Sequence, residues 1–291
     1  MKYTPKDIPE GINASREHPL RELGILLGGL IGLIALVYVV LGFVANYYAE
    51  RMSPEMEKKV AEIMGVPLSQ VLWQTNEIDK EIQKIADEMS AHLPRRNYSY
   101  QVHLMCNPQI NAFAFPGGKI ILLRGLVEAV KSKNELAMII GHEIGHFQHR
   151  DHLRGLGRSL VLVVALSFIS SVTEGAAGSF VDFTGNFVSQ KFSQAQESAA
   201  DEMGAELLNK TYGQVGGMED FFVHLMTEPL AKKGTRHPGK IRSWFLSHPH
   251  PEVRIEKLQN LAEEKQWRRG PKAPLPKLDL AKACEPIKKK K

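Results

Sequence analysis

The sequence predicts a mainly helical α+β domain with a small, mostly antiparallel sheet, behind one N-terminal membrane-spanning helix. Three observations predict it. An uncharged apolar run, LGILLGGLIGLIALVYVVLGFVA, fills residues 23–45. Through much of the remaining chain, apolar residues recur at three- and four-residue spacing, as in Ile78, Ile82, Ile85 and Met89. Between residues 99 and 123 that period gives way to three short β-rich runs, two of them joined by Pro116-Gly117-Gly118.

The run at 23–45 is long enough to cross a bilayer, because about 20 apolar helical residues span the hydrocarbon core. Mixed-charge residues 1–22 precede it and no clean A-x-A site follows, so it reads as an uncleaved anchor over 23–48; a signal peptide is the alternative. Gly24, Gly28 and Gly32 fall at four-residue spacing, which either lets two membrane helices approach or is ordinary glycine usage. Lys2, Lys6, Arg16 and Arg21 flank the run on one side and Arg51, Lys58 and Lys59 on the other. Four against three leans towards an inside N-terminus and a catalytic domain on the extracytoplasmic (periplasmic) side of a single-pass protein.

Charge and cysteine usage exclude some classes. The formal charge is +5, and residues 271–291 hold all of it, with seven Lys against Asp279 and Glu285. A neutral body with a basic tail is not the footprint of a nucleic-acid binder. The tail reads as solvated and flexible, with contact to anionic lipid or an acidic partner as the alternative. Cys106 and Cys284 form no C-x-x-C, so no sulfur-ligated metal site is indicated, and whether they pair stays open.

The elements follow in order. Ser53-Pro54-Glu55 is a helix start. Helices are expected at 54–65 and 75–92, then strands at 99–106, 110–115 and 119–123. Ser132 and Glu135 form a capping box that launches a helix into residues 141–152. Further helices are expected at 156–173, 179–210, 214–229 and 251–266. The apolar stretch 160–169 is too short to span a membrane comfortably and reads as buried, with membrane dipping as the alternative. These readings divide the chain into a tail (1–22), an anchor (23–48), a helical leader (49–98), the main domain (99–270) and a basic tail (271–291).

The chemistry concentrates in GHEIGHFQHRDH, residues 141–152. His142 and His146 are four apart, so on a helix they share a face and reach one metal ion. Glu143 lies beside them, displaced round the helix, where it meets a water instead of the metal. Imidazole nitrogens suit zinc, and three protein ligands leave a fourth position open. His152 is one candidate for the third ligand, six residues after His146. That spacing needs a glycine midway to turn the chain back, and His149 stands there, so His149 and His152 read better as surface residues of a basic turn with Arg150 and Arg154. The other candidate is QESAAD, residues 196–201. Glu197 and Asp201 share a helix face among Ala195, Ser198, Ala199, Ala200, Gly204 and Ala205, small residues that permit close helix contact. Glu197 could ligate the metal, and Asp201 could accept a hydrogen bond from a ligating imidazole.

HEIGH followed some fifty residues later by ESAAD resembles the HtpX-like and CAAX prenyl protease-like zinc metallopeptidases. NAFAFPGGKIILLRGLV (111–127) and SHPHPEVRI (247–255) resemble two more segments of that family, and the likeness covers about 99–262. It implies a zincin-like helical metallopeptidase domain with one Zn2+ per chain, held by His142, His146 and Glu197, with Glu143 as general base and Asp201 in support. It implies that an extended peptide pairs with the strand edge near Asn111, Ala112, Phe113 and Ala114. It also places His248 and Arg254 near the zinc. There His248 serves the developing oxyanion or caps a resting state, and Arg254 serves the same charge or holds its segment; helix-entry packing is the plain alternative for both. Multi-spanning members have more membrane helices than this chain. That difference argues against prenylated peptides and for unfolded or damaged polypeptides as substrates, hence protein quality control. Two rivals remain: a zinc-containing chaperone-like or scaffold protein, and a hydrolase of non-peptide substrates. Oligomeric state is not indicated.

Overall fold

A computed structural model describes residues 19–63, 77–93, 98–155, 157, 192–227, 244 and 246–284. The expected helix at 156–173, including the apolar stretch 160–169, falls largely outside the described residues, as do residues 179–191 of the helix expected at 179–210.

Helix α1 (Pro19–Arg51) is long and apolar enough to cross a membrane, and its side chains from Leu20 to Tyr48 are largely exposed. Burial begins at Ala49, where α1 meets the rest of the chain. Helix α2 (Pro54–Ile63) starts where Ser53 Oγ accepts from the Met56 amide, as its Ser-Pro-Glu start predicts. Helix α3 (Glu77–Ser90) buries the Ile78, Ile82, Ile85 and Met89 stripe that its spacing marks.

Strands β1 (Gln101–Met105), β2 (Ala112–Phe115) and β3 (Lys119–Leu123) form one sheet in the order β1-β3-β2. The expectation of a mostly antiparallel sheet holds for β2 and β3 and gives way at β1, which runs parallel to β3. The reason lies in the connections. Gly117 and Gly118, both at positive φ, fold β2 tightly onto β3. Residues 106–111 instead wrap over the end of β3, held by bonds from the Leu123 amide to the Asn111 carbonyl and from the Gly125 amide to the Asn107 carbonyl. The outer edge of β1 is covered by α3: Gln83 accepts from the Val102 amide and donates to the Tyr100 carbonyl, both at 2.8 Å, and Asp79 accepts from the Leu104 amide. Strand β2 is the other edge.

A short helix α4 (Arg124–Ala129), unexpected from the sequence, leads to α5 (Lys133–Gln148). Ser132 caps α5 by accepting from the Glu135 amide, and every α5 residue from Asn134 to Phe147 is buried. Helix α6 (Gln194–Tyr212) starts later than expected, at a capping box of Ser193 and Gln196, and ends at left-handed Gly213. Helices α5 and α6 touch backbone to backbone. A Cβ added to Gly145 would lie 2.8 Å from Ala200 Cα, and one added to Gly141 would lie 2.9 Å from Gly204 Cα.

Helix α7 (Asp220–Thr227) starts later than expected, because Gly216 and Gly217 occupy a turn before it. Helix α8 (Pro251–Glu264) closes the domain, and α9 (Leu280–Ala283) ends the described chain. The expected flexible tail is in fact packed as far as residue 284. Ala273 bonds Lys133 and Asn134, Leu275, Leu278 and Leu280 lie against the core, and Cys284 is disulfide-bonded to Cys106. The lysines of this segment conceal a leucine pattern on an extended, proline-set backbone.

The Gly145→Ala variant should lose about 1–3 kcal/mol of stability through overpacking, seen as a lower midpoint in thermal unfolding. Gly28→Ala is the control: a Cβ there meets nothing within 4 Å, so the midpoint should not move.

Candidate metal centre

Four side chains converge between α5, α6 and the segment before α8. His142, His146, Glu197 and His248 are all buried, and each offers one donor atom, all within 4.8 Å of one another. His142 Nε2 lies 3.1 Å from His146 Nε2 and 3.3 Å from His248 Nδ1. His248 Nδ1 lies 3.0 and 3.2 Å from the two Glu197 oxygens.

Carboxylates fix the tautomers. His142 Nδ1 donates to Asp201 Oδ1 at 2.9 Å, and His146 Nδ1 donates to Asp151 Oδ2 at 3.0 Å. With the Nδ1 atoms carrying the protons, the neutral rings present Nε2 lone pairs to each other across 3.1 Å. Two lone pairs cannot hydrogen-bond; a further proton on one ring, or a cation between the two, satisfies both. Tetrahedral zinc at 2.0–2.1 Å from nitrogen puts its donor atoms roughly 3.3 Å apart, so the spacing and the donor set fit such an ion.

The electrostatics favour positive charge here. Burial pushes the His146 imidazole down, but bonds to Asp151 and Glu197 and the charges of Glu197 and Glu143 outweigh it, and its pKa is pushed up to about 10. A divalent cation can take the place of that proton. Burial also opposes the Glu197 carboxylate, yet the charges of His248 and Arg254 hold it well below the usual range. His142 is pushed down, chiefly by burial.

Of the other residues expected at the site, Glu143 is buried beside the cluster, with Oε1 unpartnered among the described residues and 3.9 Å from His248 Nε2. Asp201 meets His142, as its spacing suggests. Arg254 lies behind the donor set. Its Nε and Nη2 donate to the two Asp201 oxygens, each at 2.7 Å, and Nη1 lies 2.5 Å from Glu197 Oε2. Arg254 is thus tied to Asp201 and Glu197. His248 is brought fully into the cluster, ringed by Trp244 and Phe192. Asn111 stands just before edge strand β2, and its Oδ1 accepts from Ser247 Oγ at 3.3 Å.

His152 stays outside the donor set, but it is not a surface residue. It is buried, with Nε2 2.9 Å from Glu57 Oε1, a partner 95 residues upstream that no local pattern reveals. Asp151 escaped the sequence reading for a related reason. Five residues after His146 it should face away on a continuous helix, but Arg150 is left-handed (φ 61°) and turns it back.

The model of Peptidase family M48 matches residues 72–262. The chain belongs to that family. It is 27% identical over 202 residues to a beta-barrel assembly-enhancing protease of Yersinia pestis, across 63% of this chain and 38% of that protein. Metalloprotease LoiP of Escherichia coli (strain K12) is 28% identical over 192 residues, 64% of this chain and 71% of that one. Metalloendopeptidase OMA1, mitochondrial, of Bos taurus is 26% identical over 171 residues, 55% and 32%. The chain thus spans well under two thirds of the beta-barrel assembly-enhancing protease. As an M48 member it carries a metallopeptidase domain, and the His142–His146 pair lies inside the matched region.

Arg254→Ala should strip two buried carboxylates of their guanidinium, costing about 3–5 kcal/mol and lowering bound metal. Arg254→Lys should not restore either, because lysine cannot form the two-pronged contact to Asp201. Unfolding midpoints and metal content check both; unchanged values would return Arg254 to a role in the cleft.

Proposed function

We propose that this chain is a membrane-anchored, zinc-dependent endopeptidase. The observation that carries the reading is the facing pair of Nε2 lone pairs on His142 and His146, with Glu197 arriving from α6 to complete a three-ligand set. Zinc held there supplies Lewis acidity and lowers the pKa of a water towards neutrality. Glu143, with one oxygen unpartnered among the described residues, takes the proton of the attacking water and passes it to the leaving amine. Arg254 and Asp201 keep Glu197 and His142 in place. The edge formed by strand β2 and the Asn111 just before it offers Asn111 to Ala114 to an extended peptide.

His248 fills the fourth corner with Nδ1. Since a catalytic zinc site keeps one position open, this arrangement is a resting form, and the imidazole leaves when substrate enters. The Ser247–Asn111 bond joins the His248 segment to the peptide-binding edge, so both respond to one event.

Residues 23–48 anchor the domain. The Cys106–Cys284 disulfide supports the extracytoplasmic side, where such bridges persist. Unfolded or damaged envelope proteins are the proposed substrates, in line with the β-barrel assembly in the Yersinia relative's name. A scaffold reading has one observation in its favour: all four corners are protein side chains, as in structural zinc sites.

Degradation of casein by the full chain in detergent, with zinc, separates the two. Glu143→Gln should keep one zinc per chain and lose cleavage by at least 100-fold (about the general-base contribution). His248→Ala should also keep its zinc and cleave faster than the parent. Full zinc occupancy without cleavage by either the parent or His248→Ala would establish the scaffold.

A further inference from the structure

We propose that Glu57, on the helix that follows the membrane segment, positions Asp151 and through it the His146 imidazole. The inference rests on the metal-site reading above and extends it to a residue nearly a hundred positions upstream.

Asp151 is fully buried and holds His146 from behind, while its other oxygen accepts from Gln196 Nε2 at 2.6 Å. Yet Asp151 does not belong to α5. The helix ends at Gln148, and the chain turns at Arg150 in a left-handed conformation that residues other than glycine rarely adopt. Such a residue persists only where its surroundings over-determine it. The direction of Asp151 is therefore set by whatever grips its neighbours.

Glu57 grips both. Its fully buried carboxylate accepts from Arg150 Nη1 at 3.1 Å and lies 2.9 Å from His152 Nε2, so the residues on either side of Asp151 are tied to one group. The same carboxylate accepts from the Tyr98 hydroxyl and from the Gly117 amide at 2.8 Å, which fixes it to the β2–β3 turn. Arg150 also donates to Tyr98, closing the ring of bonds. The next contacts outward come from α1. Arg154 Nη2 lies 2.9 Å from Glu50, and a Cβ on Gly157 would sit 2.7 Å from Ala45 Cβ. Residues 150–155 and Gly157 are thus seated on the end of α1 and the start of α2, with Asp151 pointing the other way, into the metal site.

The test is a double-mutant cycle on zinc affinity, measured on the full chain in detergent by competition with a chelating dye. Asp151→Asn should weaken zinc binding 10- to 100-fold, the usual cost of losing a carboxylate behind a ligating histidine. Glu57→Gln should weaken it about 10-fold, and Glu57→Asp, which keeps the charge, less. If Glu57 acts through Asp151, adding Glu57→Gln to Asp151→Asn should cost under about 2-fold more. Multiplying losses, or a Glu57→Gln affinity equal to the parent's beside a weakened Asp151→Asn, would overturn the proposal and leave the metal site standing. A parent chain that takes up no zinc would overturn the metal site itself. Should Glu57→Gln fail to fold, Tyr98→Phe removes one donor from the intact carboxylate. It should then weaken zinc about 2- to 3-fold, and an unchanged affinity would overturn the proposal.

Discussion

The contact between α5 and α6 is the constraint on which the rest of the site depends. The two helices come so close that Gly141 and Gly145 have no room for a side chain and a Cβ on Gly204 would be tight. At ordinary helix spacing, about 8–10 Å between axes and set by side-chain bulk, Glu197 would stand off from the two histidines. Small residues on both faces remove that bulk, so a carboxylate from α6 enters the volume into which α5 projects His142 and His146.

Closeness creates an electrostatic problem that the donor set then solves. Among the described residues, four carboxylates, of Glu143, Asp151, Glu197 and Asp201, are buried around the cluster, with Arg254 as their one buried guanidinium. Buried charge of one sign is costly unless matched. Arg254 neutralises the α6 side, pairing Asp201 and Glu197. The excess on the α5 side is what pulls a proton onto His146, and a dication relieves it more fully. The site is therefore a preformed hole for positive charge, with its tautomers already set from behind.

How much of this could be read from the sequence divides along the range of the interactions. The His142–Glu143–His146 triplet is legible because helical spacing alone puts it on one face. Glu197 and Asp201 are legible because small residues around an acidic pair announce a close helix contact. The long apolar helix α1 and the α3 stripe follow from hydropathy and period. What was not legible depends on contacts between distant segments. The parallel pairing of β1 comes from a wrap over β3, the burial of His152 from Glu57, and the packed tail from leucines spaced among lysines. Asp151 was hidden by a left-handed residue that a sequence does not mark when it is arginine. Arg254 was placed near the site by resemblance, but only its bonds to Asp201 and Glu197 show that it faces the ligands from behind.

The central claim is that His142, His146 and Glu197 with His248 form a four-cornered hole for one divalent ion. Cobalt(II) replacing zinc in the full chain tests it most directly, because its visible absorption reports coordination geometry. The account predicts one cobalt per chain with the intense bands of a four-coordinate nitrogen and oxygen site, and their loss in His146→Ala. Weak bands of six-coordinate cobalt, or no stoichiometric uptake, would contradict it.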